Sequence, residues 1–220
     1  MAKSILPDRP DALNLQLSVS DNAALGEMVD RLITFDTELL DALYQENESY
    51  HFNHDRTHNA IAMRVIFETS SNIKMYCGEM SIFRNGFYSH ISKDNNHDLS
   101  EAIKKVVIEA FHKFITKVET TIEIIFETYD ESYLEDVIFG DSFKDALKSG
   151  KIKLYSIRDY FSYKENINHF CCGSNFVRYE EDKKEHRAIC AINDVGFMEE
   201  TCKSFALLKN IVNPITLTNG

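Results

Sequence analysis

Apolar residues along the chain recur at helical spacing in several long stretches, and between them they alternate or run in short blocks. Over residues 21–44, Leu25, Met28, Val29, Leu32, Ile33, Leu39, Leu40 and Leu43 follow a three- and four-residue period, while Glu27, Asp30, Arg31 and Asp41 take other faces. This predicts an amphipathic helix of about six turns, capped by Ser20 or Asp21. The polar stretch 45–54 separates it from the α/β pattern of the later chain, so it is expected to pack outside the core or against a second copy. Residues 1–20 carry Pro7 and Pro10 and no sustained period, which reads as an irregular or partner-docked arm. A helix then runs through Ala60, Ile61, Met63, Val65 and Phe67 and ends at Thr69-Ser70-Ser71. Ile73, Met75 and Cys77 alternate with Lys74 and Tyr76 and stop at Gly78, as a strand would.

A short helix is expected to carry Phe83, Phe87 and Ile91. The clearest helix of the chain comes next, with Leu99, Ile103, Val106, Val107, Ala110, Phe111, Phe114 and Val118 on one face and Asp98 with Glu101 as a capping box. The block TIEIIF at 121–126 predicts a strand buried on both faces, and Tyr133, Leu134, Val137, Ile138, Phe143 and Leu147 predict the next helix. KIKLYSI at 151–157 alternates cleanly. Strand, helix, strand, helix, strand at this spacing implies right-handed crossovers and a parallel sheet. Hairpin-like strands fill 166–194, with Gly173-Ser174-Asn175 as a turn, and a last helix is capped by Asn193 or Asp194, carries Met198, Cys202, Phe205, Leu208, Ile211 and Val212, and ends at Pro214. The expected fold is α/β, a mixed sheet of mainly parallel strands flanked by helices. An N-terminal arm and helix would occupy 1–57, the α/β domain 58–214 and a tail 215–220.

Composition changes this picture little. The chain has 220 residues, 44% hydrophobic and 27% charged, which suits one main core in a soluble protein. MAKSILPDRPDALNLQ lacks the apolar run of a secretory signal, so the expected location is the cytoplasm. The five cysteines are odd in number and form no CxxC pair, and they read as reduced thiols. A net charge of −11 disfavours nucleic acid as a partner. The densest basic cluster, Lys183, Lys184, His186 and Arg187, is interrupted by Glu180, Glu181, Asp182 and Glu185. His51, His54 and His58 would share a face if their stretch were one helix, but that spacing alone does not make a metal site. No cofactor and no metal are expected, and the nucleotide-binding, zinc-protease and serine-hydrolase motifs are absent.

The segments IKMYCGEMSIFR (73–84), EIIFE (123–127), KIKLYSI (151–157), NHFCCGSNFVRYEE (168–181) and AICAIND (188–194) come in an order that resembles one half of a phospholipase D superfamily domain, over about 61–212. That family's motif is His-x-Lys-x4-Asp. His and Lys two residues apart on a strand share a side, where the imidazole attacks phosphorus and the ammonium neutralises its oxygens. Here His169 takes the first position, but Cys171 stands at the lysine and Phe176 at the aspartate. The family's Gly-Ser-x-Asn has only Asn193 as a counterpart.

The resemblance therefore implies a degenerate, non-catalytic binding or scaffold module, with a protein partner and self-association, of the kind found in bacterial mobile-element or antiviral-defence clusters. The alternative is a phosphodiesterase or nuclease in which His169 from two chains meets across a homodimer, with Arg178 or Lys153 replacing the lysine. His169 reads as structural or as a relic that still binds an anion. Glu79 and Arg84 come after the first parallel strand at its carboxyl end, where open α/β sheets bind ligands. With Arg178 and Asn193 they are the candidate ligand-binding residues.

Overall fold

The computed structural model describes residues 6–15, 17, 23–53, 55–94, 96–158, 167–182 and 187–215. α1 (Ala23–Tyr44) turns Leu32, Phe35, Leu39 and Leu43 inward, as its period requires. Its expected caps, Ser20 and Asp21, lie outside the described residues. The next stretch is not helical: Ser49–Asn53 is a strand, β1. α2 (Arg56–Thr69) comes after it, with Asp55 as N-cap accepting from the His58 N–H. After β2 (Asn72–Cys77) come α3 (Asn85–Asp94) and α4 (His97–Thr116). The α4 cap is Asn96, whose side chain accepts from the N–H groups of Asp98 and Leu99, in place of the expected Asp98–Glu101 box.

β3 (Thr121–Phe126) is succeeded by a 3-10 turn at Glu131–Leu134 and by α5 (Asp141–Lys148). The single helix expected over 133–147 is thus divided, because Gly140 takes a backbone conformation (φ 56°, ψ −136°) that helical hydrogen bonding cannot use. β4 (Ile152–Ile157), β5 (Phe170–Cys172), β6 (Phe176–Asp182), β7 (Arg187–Ile192), α6 (Val195–Leu208) and β8 (Val212–Pro214) complete the chain. The last helix stops at Leu208, so Val212 and Pro214 belong to a strand.

The strands form one eight-stranded sheet in the order β1-β7-β6-β5-β2-β3-β4-β8. β2, β3 and β4 are parallel neighbours, as the crossover pattern predicts. The other pairings, β1·β7, β7·β6, β6·β5, β5·β2 and β4·β8, are antiparallel. The sheet is therefore mostly antiparallel, not mainly parallel. The hairpin strands insert beside β2, and the short strands β1 and β8 extend the two edges.

Period-two alternation sends the strand residues into two cores. Ile73, Met75, Ile122, Ile124 and Leu154 face the layer of α1, α2, α4 and α5. Tyr76, Ile125, Ile157 and Phe170 face α6 through Phe205 and Leu208. Between α4 and α5, Phe111 stacks on Phe139 with ring centroids 3.9 Å apart. The arm and α1 share the first core. Arg64 on α2 is ion-paired with the fully buried Asp36 of α1 and with Glu68, and it donates to the Asp11 carbonyl (2.6 Å). The Leu13 N–H donates to Asp36 (3.0 Å), so the arm docks within its own chain. Among the described residues no helix is long and apolar enough to cross a membrane.

Candidate functional site

His169 immediately precedes β5, and the β5–β6 hairpin decides what it meets. Asn175 takes the left-handed conformation (φ 57°), and the Gly173 N–H closes the turn on the Phe176 carbonyl (2.9 Å). Pairing Phe170 with Tyr179 brings the next positions opposite each other, and the Glu180 N–H donates to the His169 carbonyl (2.9 Å). The two side chains then meet, with His169 Nδ1 2.9 Å from Glu180 Oε2. On the other side, Nε2 lies 2.6 Å from Glu127 Oε2. Glu127 sits just past β3, where its N–H donates to the Cys77 carbonyl (2.8 Å). All three side chains are largely buried. The imidazole also meets the Tyr76 ring edge-on at 5.5 Å and lies against Gly78, where a Cβ would come within 3.3 Å of its Cε1.

Arg178 joins through the same carboxylate. One terminal nitrogen is 3.5 Å from Glu180 Oε1, and Nε donates to Asn59 Oδ1 (2.6 Å). That amide oxygen also accepts from Asn53 Nδ2 (2.7 Å). Cys171 and Phe176 are buried. Burial pushes the Cys171 thiol up to about 12 against the pull of Arg178, so Cys171 is a neutral thiol.

His169, Arg178, Glu180, Asn59 and Cys171 help to line a cavity of about 560 Å³ at the carboxyl end of β2. Met63, Met75 and Met80 line it with Glu79, Arg84 and His90. The structure thus gathers His169, Arg178, Glu79 and Arg84 around one space. Asn193 does not line it: its amide donates to the Ala42 and Asn47 carbonyls (2.9 and 3.2 Å), which fastens the end of α1. Lys153 does not line it either, being exposed on β4. His51 lies on β1, 3.6 Å from Glu38, and His58 on α2, 2.9 Å from Asp55, so no continuous helix brings them together. His54 lies outside the described residues, as do Lys183, Lys184 and His186. Among the described residues no group of three or more His, Cys, Asp and Glu could hold a metal ion.

Sequence reasoning missed Glu127, Glu180 and Asn59 as site residues. Glu180 was within reach, since a three-residue hairpin turn at 173–175 places it across from His169. Glu127 and Asn59 come from elements whose proximity only the sheet order reveals.

No protein-family model and no curated protein matches the sequence. Among solved structures, the chain is similar to TrmBL2, an archaeal chromatin protein with a novel mode of DNA binding (TM-score 0.49, 13% identity, covering 87% of this chain and 66% of that one). It is also similar to Nuc, a phospholipase D family member from Salmonella typhimurium (TM-score 0.46, 10% identity, 78% of this chain and 99% of that one). A third is phosphatidylserine synthase from Haemophilus influenzae Rd KW20 (TM-score 0.42, 9% identity, 76% of this chain and 40% of that one). The chain thus spans just under two thirds of the first of these proteins and well under half of the last.

Proposed function

We propose that the chain is a binding module of phospholipase D-like type that does not hydrolyse phosphodiesters, and that its cavity beside His169 holds a ligand without turning it over. The observation that carries this is the clamp on His169. Attack on phosphorus needs one ring nitrogen with its lone pair free for the substrate. Here each nitrogen lies within hydrogen-bonding distance of a carboxylate. The cation expected beside the histidine on its own hairpin is also not available to a substrate. Cys171 is a buried thiol, and Arg178 is engaged by Glu180 and Asn59. Removing one oxyanion-stabilising donor typically lowers the rate on the order of 10²–10³-fold.

A scaffold subunit of a mobile-element or antiviral-defence cluster is the setting that the motif resemblance implies, and self-association belongs to the same proposal. Sedimentation giving a clean monomer at micromolar concentration would remove the latter. The role itself is tested with bis(p-nitrophenyl) phosphate and single- and double-stranded DNA, comparing wild type with His169→Ala. We expect no turnover by either protein. Activity that disappears in the variant would overturn the proposal and favour the two-chain phosphodiesterase.

A further inference from the structure

Resting on the non-hydrolytic role above, we infer that the cavity takes a small amphiphilic anion, a carboxylate or phosphate monoester with an apolar body, anchored by Arg84. His169 and Arg178 are held by Glu127, Glu180 and Asn59, which leaves little of either side chain for a ligand. Arg84, which also lines the cavity, is placed differently. Its backbone is fixed between two elements, by the N–H donated to the Ser81 carbonyl (2.9 Å) and by a bridge to Val137. Its guanidinium lies 4.8 Å from the Tyr133 ring centroid, which orients the plane.

Arg84 Nε is buried and has no hydrogen-bond partner among the described residues. The ion pair it does make, NH1 to Glu79 Oε2 at 3.7 Å, goes to a carboxylate whose side chain is 64% exposed. Such a pair holds weakly. A guanidinium is planar and matched to carboxylate or phosphate oxygens, so an anion entering here meets a cation whose terminal nitrogen is paired with one exposed carboxylate at 3.7 Å.

The rest of the lining selects for an apolar body. Met63, Met75, Met80 and Phe87 are buried around the cavity, and unbranched methionines adapt to a ligand's shape. An apolar floor with a few convergent polar groups is the usual build of a small-molecule site. The net charge of −11 opposes a polyanion far more than a single anionic head on Arg84.

The test is calorimetric titration of the protein with octanoate, octyl phosphate and octanol, on wild type, Arg84→Gln and Glu79→Gln. We expect one or both anions to bind, with octanol at least about tenfold weaker, since it lacks the charge that a guanidinium fork recognises. Arg84→Gln should weaken the anions by about tenfold or more and leave octanol unchanged. Glu79→Gln keeps Arg84 and removes its competitor, so it should tighten anion binding even if the arginine variant fails to fold. Preference for one anion identifies the head group as carboxylate or phosphate, and either supports the inference. Octanol binding as tightly as octanoate, no binding by any of the three, or indifference of the anions to both substitutions would overturn it. Octanol binding alone would leave a binding role standing, whereas hydrolysis dependent on His169 would overturn that role whatever binds.

Discussion

Asp55 shows how a single side chain can hold an element and make it sensitive to pH. It caps α2 and accepts from the Thr57 hydroxyl, the His58 N–H and the His58 ring. Burial alone would raise its carboxyl, but these hydrogen bonds outweigh burial and hold it below the ordinary aspartate value of 3.8. A carboxylate lowered in the folded state adds stability above that value and loses it as pH falls through the folded value. Asp55→Ala should therefore cost about 1 kcal/mol at neutral pH, and the gap from wild type should narrow below pH 3.8. Urea unfolding at several pH values measures this, and a gap that widened in acid would contradict it. At this scale much of the site was hidden. His169, Arg178, Glu79 and Arg84 drew attention as conspicuous polar residues beside strands. Glu127 and Glu180 looked like ordinary solvated charges at strand ends, because what buries them is the packing of β3 and β5 about β2.

At the scale of elements, the β5–β6 hairpin seats the site by pressing Gly173 against the end of α2. A Cβ on Gly173 would collide with Ser70 Oγ and come within 2.9 Å of Ser70 Cβ, and the Ser174 N–H already donates to that hydroxyl (2.9 Å). Gly173→Ala should destabilise by about 1–3 kcal/mol through overpacking. Ser70→Gly in the same chain should recover part of that loss, and thermal unfolding of the pair checks it; no cost for the single change would show that the hairpin stands off the helix. The regular elements were legible wherever an apolar period ran unbroken, as in α1, α4 and β2 to β4. β1 was not. Ser49–Asn53 alternates polar residues with Tyr50 and Phe52, and both aromatics are exposed on an edge strand, so no inward-facing apolar pattern marks it. β8 has only three residues. Missing these two strands, and not seeing that the hairpin pairs antiparallel with β2, made the sheet look mainly parallel.

For the molecule as a whole, two cores on opposite faces of one sheet should unfold together. Phe111 is fully buried in the first core and Phe205 is 2% exposed in the second. Replacing either with Ala should cost about 3–5 kcal/mol while keeping a single urea transition. A small effect at either position would mean that its helix does not cover the sheet. The cavity lies at the carboxyl end of the interior strand β2, and whether His169 serves the fold or a reaction can be decided from stability. An imidazole clamped between two largely buried carboxylates holds them together, and without it Glu127 and Glu180 would face each other. A residue kept for catalysis is commonly neutral or costly to stability, so its removal leaves the fold as stable or more so. The deciding measurement is the unfolding free energy of His169→Ala against wild type in urea. We expect a loss of about 2–4 kcal/mol, whereas a variant as stable as wild type, or more stable, would contradict the structural role assigned to His169.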